Sequence, residues 1–322
     1  MQGRAEIIRV IRENKRFLIS SHVNPEGDSL GSALALRGLL VKLRKKVEVI
    51  WDGPVPEAYR FLPGTSSVRG KPSGSYDAAF IVDCPTLKRI GLVQRFIVQE
   101  KPLCVIDHHI SNERFGTVNW IDPRSAAVGE MIVLLFQALK VKMDLDDATN
   151  LYVSIVTDTG SFRYSNTTAR VHALVSKLIG LGVRPAPVTC ELYESYPLSS
   201  RRLLAEALKT LTVEYRGKMA WIEVTQKMIS ACKSSPEETE GIVDFARSLK
   251  GVRVAVFFRE EENGEVKVSF RSKGSFNVDR IASHFGGGGH RAASGCVVRK
   301  KLKEAEELVL KEVRKALARD GK

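Results

Sequence analysis

Cysteine is scarce in this chain, with five among 322 residues, at positions 84, 104, 190, 232 and 296. The number is odd and no two stand in Cys-x-x-Cys spacing. That argues against a disulfide framework or a zinc ribbon and for a reducing compartment. Long apolar runs are missing as well, and none approaches the ~20 residues that span a bilayer. The opening Met1-Gln2-Gly3-Arg4-Ala5-Glu6 places charge of both signs where a signal peptide needs an unbroken apolar core. No internal repeat or low-complexity tract stands out. The expectation is a soluble cytoplasmic protein with no membrane partner.

Negative charge is the minority: 37 Asp+Glu face 50 Lys+Arg, for a net +13. Such an excess suits an anionic partner such as a nucleotide, a short nucleic acid or a phosphoester. A solvated basic surface accounts for it equally well. The length allows one large domain or two of ordinary size.

Apolar and polar segments alternate through the first half. Residues 4–14 carry Ile and Val at helical spacing, and strands are expected at 16–20, 47–51, 78–83 and 102–106. Asp28 or Ser29 reads as the cap of a helix running to about Lys45, with Leu30, Ala33, Leu34, Leu36 and Leu40 as its apolar face. The Pro- and Gly-rich stretch 53–74 reads as a loop region with one helical turn near Glu57–Phe61. Further helices are expected over 126–139 and 168–181. Asp146 or Asp147 caps another that delivers Asp158, although the run 151–157 alone fits a strand too. This alternation marks an α/β layer fold.

The pattern changes near Val183-Arg184-Pro185-Ala186-Pro187, which divides the chain into a first domain (1–185), a connector (186–205) and a smaller second domain (206–322). The second domain is expected to hold strands near 219–224, 252–258, 265–270 and 295–299. Helices are expected near 277–284 and 301–319.

Four clusters in the first domain carry the chemistry: Ser21-His22-Val23-Asn24-Pro25-Glu26-Gly27-Asp28, Ile81-Val82-Asp83, Val105-Ile106-Asp107-His108-His109, and Ile155-Val156-Thr157-Asp158. Three of them close an apolar run. Segments such as Ala78-Ala79-Phe80-Ile81-Val82 read as strands buried on both faces, and polar groups at the carboxyl ends of parallel strands converge on one crevice. Several carboxylates and imidazoles in one dry crevice repel each other unless cations neutralise them. A pair of divalent metals is the economical explanation, and an oxygen-rich site with some imidazole favours manganese or magnesium. Two metals point to hydrolysis at phosphorus.

These clusters resemble the DHH superfamily of phosphoesterases, whose Asp-His-His triplet stands here at 107–109. The family's first motif, His-x-x-Pro-Asp-Gly-Asp-x-x-Gly-Ser, corresponds to His22 through Ser32. Its second is Asp83, and its fourth, Thr-Asp-Thr-Gly-x-Phe, is Thr157 through Phe162. The resemblance implies a first metal held by His22, residue 26 and Asp83, and a second held by Asp28, Asp83, His108 and Asp158. Asp107 would orient a ligand and His109 would face the phosphate, which places Asp83, Asp107 and His109 at the reaction itself. One departure stands out: the family has Asp at position 26, and this chain has Glu26.

In the second half, Phe285-Gly286-Gly287-Gly288-Gly289-His290-Arg291 follows Ser269-Phe270-Arg271-Ser272-Lys273-Gly274. Four glycines let a backbone approach a ligand closely, and His290 and Arg291 offer groups for an anion. The stretch resembles the DHHA1 domain that accompanies many DHH phosphoesterases. This implies a two-domain protein, a parallel-sheet α/β DHH domain followed by a smaller α/β domain with a mixed sheet. Arg271, Ser272, Gly288, His290 and Arg291 would bind substrate.

The length is most similar to the nanoRNase branch (oligoribonuclease and pAp phosphatase) and to phosphodiesterases acting on pApA and cyclic di-AMP. The resemblance then implies a phosphodiesterase with two Mn²⁺ or Mg²⁺. Its partners would be short oligonucleotides or dinucleotides, and a homodimer is compatible with it. An inorganic pyrophosphatase-like hydrolase and a non-catalytic nucleotide sensor are the competing expectations.

Overall fold

The computed structural model describes residues 2–320. Residues up to Ser195 form one compact unit and those from Tyr196 onward a second.

The first unit runs α1 (Gln2–Glu13), β1 (Arg16–Ser20), α2 (Gly27–Lys42), β2 (Lys46–Ile50), β3 (Val68–Arg69), β4 (Ala78–Val82), β5 (Leu103–Asp107), β6 (Val118–Ile121), α3 (Val128–Ala138), α4 (Leu145–Asp158), α5 (Ala169–Gly180) and α6 (Pro185–Tyr193). Its six strands are ordered β3-β2-β1-β4-β5-β6, and every pairing is parallel. The chain lays strands outward from β1 to β3, then returns to pair β4 with the other side of β1. The order of strand addition therefore reverses between β1 and β4, and in open parallel sheets ligands bind outside the carboxyl ends at such a point. His22 lies just beyond β1 and Asp83 just beyond β4.

Strand β4 is buried at all five positions, as its unbroken apolar run requires of a central parallel strand. Helix α2 is buried on nearly every side because it lies between the sheet and α4. Leu30, Leu34, Leu36, Leu39 and Leu40 lie in the core, each stabilising by roughly 1.5–3 kcal/mol relative to exposure. The contact between α2 and α4 is close because glycine faces it. A Cβ at Gly27 would stand 2.4 Å from Thr157 Oγ1, and one at Gly31 would stand 2.3 Å from Asn150 O.

Two caps differ from expectation. Helix α2 is capped by Glu26 rather than by Asp28 or Ser29. The Glu26 N–H donates to Ser29 Oγ at 2.8 Å, which leaves Asp28 in the first turn with its carboxylate turned inward. Helix α4 is capped by Asp144 rather than Asp146 or Asp147, with the Asp147 N–H donating to Asp144 Oδ1 at 3.1 Å. The run 151–157 is helical. Lys42 pairs with both Asp144 and Asp147, so the end of α2 is tied to the start of α4.

The second unit contains α7 (Leu198–Lys209), β7 (Thr212–Glu214), β8 (Met219–Val224), α8 (Gln226–Ala231), α9 (Ile242–Ser248), β9 (Val254–Glu260), β10 (Val266–Ser272), α10 (Asp279–His284), β11 (Gly288–His290), β12 (Ala293–Val298) and α11 (Leu302–Asp320). Its sheet is ordered β11-β12-β10-β9-β8-β7, with β8 and β9 parallel and the other pairs antiparallel. Helices α10 and α11 pack against Val256, Phe258, Val268 and Phe270 on one face. Helices α7, α8 and α9 cover Ala255 and Phe257 on the other.

The end of the glycine run forms strand β11. Gly288 pairs with Gly295 and His290 with Ala293. A Cβ at Gly287 would come within 2.1 Å of Gly295 O, so the glycines serve a close strand approach. No helix among the described residues is long and apolar enough to cross a membrane.

Candidate metal centre

Five segments of the first unit deliver side chains to the carboxyl ends of β1, β4 and β5. His22 leaves the end of β1 on a loop clamped from two sides. The buried Trp51 indole donates to His22 O at 3.0 Å, and the Val23 N–H donates to Arg89 O at 2.8 Å. Asp83 follows β4 with a left-handed φ of +50°, a conformation Asp tolerates better than most residues. Asp107 ends β5, and His108 and His109 follow it at once. Asp158 is the last residue of α4.

The distances group these residues into adjoining donor sets. His22 Nε2 lies 3.8 Å from Glu26 Oε1 and 3.6 Å from Asp83 Oδ2. His108 Nε2 lies 3.4 Å from Asp158 Oδ2, 3.7 Å from Asp28 Oδ2 and 3.6 Å from Asp83 Oδ1. His109 Nδ1 lies 3.6 Å from the same Asp83 oxygen. His22, Glu26 and Asp83 are thus one candidate cation set, and Asp28, His108 and Asp158 another. Asp83 turns one oxygen toward each. Asp83 is 0% exposed and neither carboxylate oxygen has a hydrogen-bond partner among the described residues. A buried carboxylate without hydrogen bonds costs several kcal/mol. The Nδ1 of His22 is likewise without a hydrogen-bond partner.

Protons or cations must offset this charge. Burial, with Asp28 and Glu26 nearby, raises the Asp83 pKa well above the carboxylate range. Burial raises Asp28 too, against the pull of His108, the Ser154 hydroxyl and the Val128 N–H. Asp158 is pushed up to about 8, chiefly by burial. For His108 burial acts downward, but Asp158, Asp28 and Asp83 outweigh it and raise the ring to about 10. Carboxylates clustered around imidazoles, with orphaned lone pairs at the centre, fit a pair of hard or borderline divalent cations.

Asp107 behaves differently from the other carboxylates. Its Oδ1 accepts the His108 N–H at 2.7 Å, the His109 N–H at 3.2 Å and His109 Nδ1 at 2.7 Å. Asn112 Nδ2 donates to Oδ2 at 2.6 Å. Burial would raise this group, but the neighbouring His109, then His108 and Asn112, hold it well below the usual carboxylate range. Asp107 therefore stays ionised and orients His109.

Glu26 sits on the rim, with its side chain 52% exposed. Cys84, next to Asp83, is no nucleophile, because burial pushes its thiol up to about 12.

The second-unit residues fall on two sides of their sheet. Cross-strand pairing aligns Arg271, Ala293 and His290 in one row, with Ser269, Gly295 and Gly288 in the next. Arg271, Gly288 and His290 thus share a face. Ser272 points to the opposite face, since neighbours on a strand alternate. It is buried, and its hydroxyl donates to Phe276 O at 2.7 Å. Arg291 lies beyond the row, and its Nε donates to Ser275 O at 2.9 Å.

Two supporting residues had no place in the sequence reading. Ser154 lies one helical turn before Asp158 and donates to Asp28 Oδ1. Its i, i+4 spacing to Asp158 within the apolar run Leu151–Val156 was the available signal. Asn112 lies in a loop with no periodicity to reveal it.

Residues 16–157 match the DHH family, N-terminal domain, and residues 225–319 match the DHHA1 domain. A bifunctional oligoribonuclease and PAP phosphatase NrnA of Thermus thermophilus is 34% identical over 323 residues, spanning 98% of this chain and 94% of its own. The protein of the same name from Bacillus subtilis is 26% identical, spanning 92% and 93%. A crystal structure of an exopolyphosphatase-related protein from Bacteroides fragilis superposes with a TM-score of 0.88 at 25% identity, covering 99% of this chain and 96% of that one. The chain belongs to the DHH family and carries a DHHA1 domain after the DHH domain.

Proposed function

We propose that this protein is a divalent-metal-dependent phosphodiesterase. It hydrolyses short oligoribonucleotides and linear or cyclic dinucleotides, pApA and cyclic di-AMP among them, to nucleoside 5′-monophosphates, and it also acts on pAp. The observation that carries this reading is the buried carboxylate of Asp83, orphaned on both oxygens between two sets of cation donors. The relatives named for oligoribonuclease and PAP phosphatase activity support the substrate class.

In this reading His22, Glu26 and Asp83 would hold one divalent ion, Mn²⁺ or Mg²⁺, and Asp28, Asp83, His108 and Asp158 would hold the other. Bound there, such ions would supply Lewis acidity to a water and to the phosphoryl oxygens. The protein's own residues orient the rest. Asp107 is ionised and only accepts hydrogen bonds, so the proton of the His109–Asp107 bond sits on Nδ1. His109 then presents its other ring nitrogen to a non-bridging oxygen or to the leaving group. Arg271 and His290, on either side of Ala293 on one face of the second unit's sheet, are the groups for a nucleotide phosphate. The backbone at Gly288, where an added Cβ would meet only Asp279 Oδ1 at 3.6 Å, lets the nucleotide approach that face.

The test is product analysis of the purified protein in Mn²⁺ with pApA, cyclic di-AMP, a short oligoribonucleotide, pAp and pyrophosphate. The reading requires 5′-monophosphates from the nucleotides and little turnover of pyrophosphate. Preferential cleavage of pyrophosphate would sink it, as would tight nucleotide binding with no turnover.

A further inference from the structure

The loop after β5 is tied to the loop after β4 at one side chain. Asn112 Nδ2 donates to Asp107 Oδ2 at 2.6 Å and to Cys84 O at 3.1 Å. Its Oδ1 accepts the Arg114 N–H at 2.7 Å, and the Glu113 N–H donates to Pro85 O at 2.9 Å. Every polar atom of the Asn112 amide is therefore engaged, with both amide bonds to atoms adjoining the reaction site. One partner is the carboxylate that holds His109. The other is the carbonyl of the residue directly after Asp83, whose left-handed φ of +50° needs its surroundings to hold it in place.

We propose that Asn112 is a positioning residue for the reaction, setting His109 through Asp107 and fixing Asp83 through the Cys84 carbonyl. The proposal rests on the phosphodiesterase reading of the same site. Its physical basis is that Asp107 needs both oxygens anchored to hold a ring in one orientation. Oδ1 takes three donors from the 108–109 segment, and Asn112 provides the Oδ2 anchor. Without it the carboxylate can rotate about χ2, and the ring held at Nδ1 turns with it. An acid at position 112 does worse than an apolar side chain. Its ionised oxygen faces Asp107 Oδ2 and the Cys84 carbonyl, two acceptors.

The test compares Asn112→Ala and Asn112→Asp with the natural protein by steady-state kinetics on pApA, thermal unfolding, and long-range ¹H–¹⁵N spectra of the histidine rings without added metal. His109→Gln assigns the ring signal. Asn112→Ala is expected to lower kcat about 10–100-fold, as loss of a partner behind a reacting group does, with KM little changed. Asn112→Asp is expected to lose more. Both should shift the His109 signal of the folded protein away from the pure Nδ1–H form, at temperatures well below each variant's unfolding transition, although loss of the bonds to Asp107 and Cys84 lowers that transition. The proposal is overturned if Asn112→Ala keeps full kcat. It is equally overturned if activity falls only with the folded fraction while the ring signal stays unchanged. The ring spectrum uses no substrate, so it decides the positioning claim even if the natural protein cleaves no phosphodiester.

Discussion

Ser154 on α4 donates its hydroxyl to Asp28 Oδ1 at 2.5 Å, joining that helix to the first turn of α2 inside the acidic cluster. The Val128 N–H at 2.8 Å and the Gly129 N–H at 3.2 Å complete the grip on the same carboxylate. Asp28 is thus aimed by three donors from two helices. Removing one tests how far aim matters. Ser154→Ala should cost about 1–3 kcal/mol of stability, the usual loss when a buried polar group loses a hydrogen-bond donor, and lower activity about 10–100-fold. Chemical denaturation beside turnover on pApA checks both figures, and full activity at reduced stability would count against the role given to Asp28.

Asp83→Ala should abolish turnover and bound metal together, because one of its oxygens belongs to the first candidate cation set and the other faces His108 of the second. Elemental analysis after dialysis, paired with an activity assay in excess Mn²⁺, reads both. Substantial Mn²⁺-dependent activity in that variant would contradict the assignment of Asp83 as the shared ligand.

The pH dependence of the metal-free protein follows from the direction of the shifts. Asp158 rises from 3.8 to about 8 and His108 from 6.5 to about 10. A group whose folded pKa is raised stabilises most below its unfolded pKa, and that contribution fades as pH climbs through the folded value. The two groups act in the same direction, so the metal-free fold should weaken as pH rises from about 6 to 9. Cations displace these protons, so Mn²⁺ should bind more tightly and raise the unfolding temperature more at the alkaline end. Thermal unfolding with EDTA or with Mn²⁺ across that range checks this, and a metal effect independent of pH would refute it.

Gly31→Ala should destabilise by about 1–3 kcal/mol as overpacking, because the added Cβ would stand 2.3 Å from the Asn150 carbonyl, a backbone atom of α4. Gly70→Ala is the control, since nothing lies within 4 Å of the Cβ it would add. Equal unfolding temperatures for the two variants would mean that α2 and α4 are not pressed together.

Periodicity located most of the framework. The apolar runs at 16–20, 78–83 and 102–106 became β1, β4 and β5 within a residue or so, and 168–181 became α5. Short edge strands escaped notice. Val118–Ile121 is too brief to show alternation, and Gly288–His290 has almost no side chains to show any. Caps were misplaced by two or three residues. Several acids stand together at 26–28 and 144–147, and only the folded backbone decides which one accepts the first free N–H.

The candidate site divides along the same line. His22, Glu26, Asp28, Asp83, His108, His109 and Asp158 could be nominated from residue type and from their place after apolar runs, because strand ends in a parallel sheet must converge. Their grouping around Asp83 could not, since which oxygen meets which imidazole depends on segments more than a hundred residues apart closing on one another. Nor could the strand say whether Arg271 or Ser272 faces outward. The pattern shows that they oppose each other, and only the helices packed on each face settle which is buried. Chemistry here was written into local composition, while orientation came from packing, because a side chain's direction is set by neighbours that the linear order does not place beside it.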